Sequence, residues 1–446
     1  MRIGFVGLGK LGLPCALAIA HRGHDVVGFD VSPAAKGILA SRKYPHREVQ
    51  AQELLEQTTM SVVDTVDEVV QHADIVFIAV QTPHEPEYEG VTRMPETRAD
   101  FSYTALRAAV GEVAESALRD QWLTTIVVIS TCLPGSCERE LYPMLENNPY
   151  ASLVYNPYFI AMGTTIPDFL SPEFTLIGFD PARGNVACLH KLQNFYSSIH
   201  SAPQRVMSIA SAELTKVSYN VFLGLKIVAA NAVMEIAEKV NADCDDVTNA
   251  LGLATDRVAS AKYMRGGMGD GGGCHPRDQI ALSWLARKLE LSYDLFGAMV
   301  QAREAQTEWL ADLCERESRG GKLPVVVLGK AYKRGTNLTV GSPAILLAGM
   351  LRERRHLDVY QWDPHVDGNA QARTFVVRGL PDTPSGEFTD KPAVYLVACD
   401  HDEFFGMNFP DGSVVIDPWG KMLPREGTKV IRVGRRASLT SPHAGT

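Results

Sequence analysis

Short apolar runs rich in β-branched residues recur through the first 200 positions. They read RIGFVGLG from residue 2, DVVGFD from 25, ADIVFIAVQTP from 73 and TTIVVISTCLPG from 124. Each is stopped by glycine, proline or a polar residue, as buried strands are. Between them lie LGLPCALAIAHRG and FSYTALRAAVGEVAESALRD, whose apolar positions repeat with helical period. Strands alternating with helices predict a doubly wound parallel sheet. From 204 to 262 the pattern changes to a long proline-free helical stretch, SIASAELTKVSYNVFLGLKIVAANAVMEIAEKVNA. It is too long to pack on a small sheet and predicts a spine between domains or a dimer interface. A second strand–helix alternation follows, in KLPVVVLGKAYKRG, SPAILLAGMLRER, HLDVYQWDP, KPAVYLVACDHDEF and GSVVIDPWG, and SLTSPHAGT reads as a frayed tail.

The pattern therefore predicts an α/β chain of two Rossmann-like doubly wound domains joined by a long central helix in a helical middle domain. The expected boundaries are 1–200, 201–305 and 306–446. A length of 446 residues agrees, being too long for one core. The chain is 46% hydrophobic and 21% charged, as folded chains are. Its formal net charge of -9 argues against nucleic acid or an anionic membrane surface as partner. No uninterrupted apolar run reaches the roughly 18–20 residues of a membrane helix. The N-terminus fits a strand–turn–helix better than a signal peptide. The eight cysteines are 15, 132, 137, 188, 244, 274, 314 and 399, and none forms a CxxC pair. That spacing predicts no metal site, and reduced thiols in a cytoplasm.

Gly7, Gly9 and Gly12 form GxGxxG between a strand and a helix, and Asp30 ends the next strand. This is the context in which the motif binds a dinucleotide. Gly7 allows the tight turn, Gly9 lets backbone approach the pyrophosphate, and Gly12 lets helix pack on strand. The helix N-terminus offers N–H groups to the anion. Asp30 would accept from the adenosine ribose and repel a 2′-phosphate, and no arginine follows it. NAD is expected rather than NADP.

Lys216 and Asn220 lie four apart on one face of the long helix. Residues 265–273 hold six glycines, followed by Cys274, His275, Pro276, Arg277 and Asp278. Such a loop lets backbone approach a ligand closely. Cys274 stands where the loop enters a helix, a position that favours thiolate. Thiol, ammonium, amide and carboxylate beside a nicotinamide suggest covalent oxidation of an aldehyde.

These segments, in order, resemble the UDP-glucose/GDP-mannose dehydrogenase family. They are GLGKLG with Asp30, STCLPG, NPYFIAMGTTIPDFLSPEFTLIG, AELTKVSYN, GDGGGCHPRD, LGKAYKRGT and SPA. The resemblance is nearest to its UDP-glucose-oxidising members. It implies four-electron oxidation of a sugar-nucleotide primary alcohol to a carboxylate with two NAD. It implies that Lys216 and Asn220 steady the alkoxide and oxyanion, that Cys274 is the nucleophile, and that Asp278 helps activate a water. The implied cofactor set is Gly7, Gly9, Leu11, Gly12, Asp30, Thr82 and Thr131. The implied substrate set is Tyr158, Phe159, Arg257, Gly271, His275, Tyr332 and Lys333. A homodimer through the central helix is implied as well.

The chain also departs from the family pattern. The family reads NPEFLxEG where this chain has Tyr158 and Met162 in place of two glutamates. The first glutamate is associated with thioester hydrolysis, and a phenol is a poor base at pH 7. Asp270 and His275 replace loop positions that are aromatic or apolar in the family, and VGSP stands where RESP is usual. DPWG replaces the family's late DxRN. His275 could pair with the cysteine or face the substrate pocket, and the pocket is the favoured reading. Asp270 reads as a turn residue. The changes leave two expectations open: oxidation to the acid, or an unusual nucleoside or nucleotide-sugar substrate with release at the aldehyde.

Overall fold

The computed structural model describes residues 1–83, 99–161, 163–260, 266–272, 275–366 and 391–435. Met162, Cys274 and the C-terminal stretch 438–446 lie outside these, as do the side chains of Arg277 and Asp278. By its contacts the chain divides into two compact units, Met1–Leu225 and Lys226–Thr446.

The first unit is built on an eight-stranded sheet. Its strands are β1 (Arg2–Val6), β2 (Asp25–Phe29), β3 (Ser61–Val62), β4 (Ile75–Ile78), β5 (Thr124–Val128), β6 (Ala151–Tyr155), β7 (Thr175–Gly178) and β8 (Gln204–Met207). Their order is β3-β2-β1-β4-β5-β6-β7-β8. The apolar runs IVFI and TTIVV are buried at every position, as central parallel strands covered by helices on both faces must be. Strand order reverses beside β1, where Val6 pairs with Phe29 of β2 on one side and Ile78 of β4 on the other. A crevice at such a reversal is where open α/β sheets bind ligands.

Two details differ from the sequence reading. The sheet extends past residue 200, because β8 pairs with β7. It is also not wholly parallel, since β6 meets β7 antiparallel at Tyr155 and Gly178. Both strands of the β7–β8 pair are short, and QRVM alternates too little to stand out beside the long helix that follows.

The second unit carries a five-stranded, all-parallel sheet. Its strands are β9 (Val325–Leu328), β10 (Val359–Trp362), β11 (Val394–Val397), β12 (Val414–Asp417) and β13 (Lys429–Arg432), in the order β10-β9-β11-β12-β13. Strands β9 and β11 are completely buried. Helices Cys244–Gly252, Leu295–Glu317 and Pro343–Glu353 begin at Asp243, Asp294 and Ser342, whose side chains accept backbone N–H bonds as N-caps.

The long helix spans Ile209–Val240, 32 residues or about 48 Å at 1.5 Å per residue. By length and composition it is apolar enough to cross a membrane, with a mean hydropathy of 1.5 in its best window. In the sequence its apolar positions are interrupted by polar ones, so no uninterrupted apolar run marks it. The helix starts inside protein, however: Glu213 is fully buried and Lys216 is bonded to another loop. Farther along, Val221, Phe222, Leu225, Val228 and Met234 are exposed.

Candidate active site

The glycine turn after β1 has the geometry its sequence requires. Gly7 sits at φ +97°, and its N–H donates to Phe29 O at 2.8 Å. A Cβ on Gly12 would stand 2.1 Å from Gly7 O, so only glycine lets the helix Gly12–His21 start this close to the strand. A Cβ on Gly9 would meet nothing within 4 Å. The first turn of that helix has no side-chain cap; Leu13 N donates to Gly9 O at 3.1 Å, Cys15 N to Leu11 O at 3.3 Å and Pro14 has no N–H, so the N–H it can turn to an anion is that of Gly12. Asp30 clips the turn: Oδ2 accepts from Leu8 N at 2.6 Å and Oδ1 from Ser32 N at 2.8 Å. A carboxylate has further lone pairs, so ribose hydroxyls can still be accepted.

Beside this turn lies a cavity of about 500 Å³, lined by Gly9, Leu11, Thr82, Thr131, Ile160 and Lys216 among others. Thr82 Oγ1 donates to Thr131 O at 2.8 Å, joining the ends of two strands at its wall. Open space above Gly9, the uncapped Gly12 N–H and an acidic residue following β2 together fit a dinucleotide.

A second cavity, of about 330 Å³, is lined by Phe159, Ile160, Asp168, Glu173, Lys216 and Asn220 among others. Lys216 and Ile160 therefore wall both cavities. Lys216 Nζ donates to Tyr158 O at 2.7 Å and lies 5.1 Å from the centre of the Phe159 ring. Burial lowers its pKa below the ordinary lysine value. Asn220, one turn on, is exposed on the same helix. Phe159 packs between Phe174 and Tyr219, with ring centres 4.8 and 4.6 Å away.

Tyr158 reaches the site through its backbone carbonyl. Its phenol turns into the core, where it packs 5.5 Å from Phe169. There it lies 3.3 Å from Tyr196 Oη, which also donates to Asn156 Oδ1. Burial pushes the Tyr158 phenol well above its ordinary pKa. The phenol is a protonated packing group and no base.

Three carboxylates hold this site together without having been expected from sequence. Glu213, three residues before Lys216, accepts from Gly135 N at 2.6 Å and Cys137 N at 2.8 Å, anchoring the loop that carries Thr131. Its only signal is an acid within an apolar helix. Asp168 accepts from Ala161 N and Thr164 Oγ1, both at 2.9 Å. Glu48 accepts from Gly163 N, Thr165 N and Thr165 Oγ1, from 115 or more positions away. No local pattern marks it.

In the second unit, the described part of the glycine loop is packed against aromatic rings. A Cβ on Gly267 would lie 2.5 Å from the Trp419 ring, and one on Gly272, at φ +90°, 2.9 Å from Tyr332. A Cβ on Gly271 would lie 2.9 Å from Pro343 Cδ. Asp270 is more than a turn residue. It pairs with Arg303 Nε at 2.9 Å and accepts from Gln279 Nε2 at 2.9 Å, while Arg303 Nη2 reaches Gly341 O at 3.1 Å. A helix begins at His275, the residue after Cys274, and His275 is exposed. Lys333 Nζ lies 5.5 Å from the Tyr332 ring, and Arg257 is exposed after the helix Cys244–Gly252. The reactive positions expected at Cys274 and in the Asp278 side chain lie outside the described residues. Of the seven cysteines described, all but Cys244 are buried.

A Rossmann turn with an acidic β2 terminus, opening onto a cavity walled by a half-buried lysine, defines a dinucleotide-dependent oxidoreductase. Comparison with known proteins narrows the class. Residues 1–200 match the NAD binding domain of the UDP-glucose/GDP-mannose dehydrogenase family, and residues 210–305 match its central domain. The chain is 31% identical to a GDP-mannose 6-dehydrogenase of Pseudomonas savastanoi pv. phaseolicola, over 79% of this chain and 78% of that one. It is 28% identical to UDP-glucose 6-dehydrogenase AglM of Haloferax volcanii, over 92% and 93%. The crystal structure of a GDP-mannose dehydrogenase ternary complex from Pseudomonas aeruginosa superimposes with a TM-score of 0.84 at 25% identity, covering 96% of this chain and 99% of that one. The chain belongs to the UDP-glucose/GDP-mannose dehydrogenase family and is an NAD-dependent oxidoreductase of the nucleotide-sugar dehydrogenase class.

Proposed function

We propose that the protein oxidises the C6 primary alcohol of a nucleotide sugar to the carboxylate. The observation that carries this reading is that Lys216 walls both the cavity at the glycine turn and the cavity holding Asn220. A cation there stands between the place for the cofactor and a place for a sugar. GDP-mannose is the first substrate to offer, since relatives with that name match at 31% identity, and UDP-glucose is the second.

The cofactor is held by Gly7, Gly9, Leu11, Gly12, Asp30, Thr82 and Thr131. Bound NAD supplies an acceptor for the two hydrides that leave C6, so alcohol, water and two NAD give carboxylate, two NADH and three protons. Lys216 stabilises oxygen anion at C6, with the Asn220 amide as a second donor. Lys216 is suited to this because its ammonium is partly desolvated and oriented by the Tyr158 carbonyl. Cys274 adds to the aldehyde carbon as a thiohemiacetal; loss of the second hydride and a proton converts this to a thioester, which water cleaves to the carboxylate, returning the thiol. Asp278 organises that water. On the substrate side Phe159 forms a wall, and Arg257, Gly271, His275, Tyr332 and Lys333 complete the set.

One feature favours a second reading, release at the aldehyde: position 158 has no carboxylate, and its phenol is buried. Incubation with NAD and each nucleotide sugar, with products weighed by mass spectrometry, tests both. An acid with two NADH supports the first reading. An aldehyde with one NADH supports the second. No NADH from any nucleotide sugar rejects both.

The exposed apolar residues Val221, Phe222, Leu225, Val228 and Met234 on the long helix support a homodimer through that helix. Light scattering after size exclusion tests this, and a monomer at micromolar concentration would contradict it.

A further inference from the structure

The segment that follows β6 supplies, at Tyr158–Ala161, the wall shared by the two cavities. Phe159, Ile160 and Ala161 line the sugar-side cavity, and Tyr158 and Ile160 line the cofactor-side one. At its start this segment is tied into the sheet, with Asn156 N donating to Val128 O at 2.8 Å. At its middle the Tyr158 carbonyl receives the Lys216 ammonium. Its far end has to be fixed as well, or the carbonyl would not stay at the lysine. Asp168 gives one local tie through Ala161 N and Thr164 Oγ1.

The other tie comes from far away in sequence. Glu48 Oε2 accepts from Gly163 N at 3.0 Å and from Thr165 Oγ1 at 3.1 Å, and Oε1 accepts from Thr165 N at 2.6 Å. The backbone adds a fourth bond, Val49 N to Gly163 O at 3.0 Å. Glu48 is itself held in place. Gln52 brackets its segment, accepting from Tyr44 N and donating to Arg42 O, both at 2.8 Å. Arg42 in turn donates to the carbonyls of Leu55 and Thr58. Among the described residues no lysine, arginine or histidine pairs with Glu48, so its charge is met by the donors of this one loop. Charge-assisted bonds to backbone N–H groups are short and directional, which suits a carboxylate that sets a loop's position.

We propose that Glu48 is a positioning residue for the sugar site. It fixes residues 159–165 so that the Tyr158 carbonyl meets Lys216 and the sugar-side cavity keeps its wall. This rests on the reading of that cavity given above. Glu48 lines neither cavity, so its effect passes through the loop.

The test is Glu48→Gln in the full-length protein. The amide keeps the shape, loses the charge and turns an N–H₂ group toward loop donors. Two readouts are taken. Hydrogen–deuterium exchange of the peptides covering 159–165, with and without NAD, reports the loop whatever the substrate. Steady-state kinetics with GDP-mannose or UDP-glucose, whichever yields NADH, reports the site. Glu48→Gln is expected to speed exchange in 159–165 by at least fivefold and raise the KM for the sugar nucleotide about tenfold. The KM for NAD should rise by a smaller factor, since Ile160 alone of the displaced residues also lines the cofactor-side cavity. Unchanged exchange overturns the proposal. So does faster exchange with an unchanged sugar KM, or equal rises in both KM values, since a merely structural tie behaves that way. Should the wild-type protein turn over no nucleotide sugar, the functional reading fails, while the exchange data still decide whether Glu48 holds the loop. If Glu48→Gln does not fold, Glu48→Asp, one methylene shorter, is measured in the same way.

Discussion

Lys216 Nζ donates a 2.7 Å hydrogen bond to the carbonyl oxygen of Tyr158, 58 positions earlier in the chain. The bond joins the long helix to the loop shared by both cavities. It holds the ammonium in a place where burial already lowers its pKa. If the charged form does the work, activity is lost as pH rises through that lowered pKa, below where a free lysine titrates. The alkaline limb of kcat should therefore begin below the ordinary lysine value, and Lys216→Arg should move it upward beyond the range measured. The rate of Lys216→Arg should also fall, because a planar fork cannot reproduce a point charge. A limb unchanged in Lys216→Arg would assign it to another group.

Tyr158 stands where the family pattern has a glutamate, and its phenol faces Tyr196 and Phe169. Because the phenol packs in the core and the backbone carbonyl serves the site, Tyr158→Phe should leave turnover within a few-fold of wild type. It should cost about 0.5–1.5 kcal/mol of stability, for one buried hydrogen bond. Chemical denaturation and initial rates on the same preparation check this. A loss of turnover of a hundredfold would mean that the hydroxyl acts in the reaction.

Gly9 and Gly12 should separate cofactor binding from folding. A methyl group at Gly9 has open space, so Gly9→Ala should keep its melting temperature and bind NAD at least tenfold more weakly. A methyl at Gly12 meets Gly7 O, so Gly12→Ala should lose about 1–3 kcal/mol or fail to fold. Thermal melts paired with NAD titration distinguish the two.

The pair Asp270–Arg303 fixes the described part of the glycine loop. A double-mutant cycle with Asp270→Asn and Arg303→Met should give a coupling energy of about 0.5–3 kcal/mol in urea denaturation. Coupling near zero would show that the glycine loop is held by its other contacts, among them Tyr332, Trp419 and the Gln306 bond to Gly267 O.

Much of this site was legible in the sequence because the constraints are local. GxGxxG predicts a turn whose first glycine needs a positive φ and whose third admits no Cβ, and both hold. The placing of Lys216 and Asn220 on one face follows from helical period. What was not legible depends on packing between distant segments. Nothing near Glu48 announces that it will hold residues 163–165, and nothing in NPYFIAMG tells that the tyrosine points inward toward Tyr196. The antiparallel junction at Tyr155 and Gly178 is equally non-local, since apolar β7 reads alike in either direction. The pairing of Asp270 with Arg303 spans 33 positions and replaced an expectation of a plain turn residue.

In the proposed reaction a single thiol, that of Cys274, carries the sugar from aldehyde to acid. It is tested most directly by counting NADH per sugar nucleotide for the wild-type protein and for Cys274→Ser, with the products weighed. Two NADH and the acid are expected for the wild type, and a stall after one hydride for Cys274→Ser. Full turnover to the same product by Cys274→Ser would contradict it.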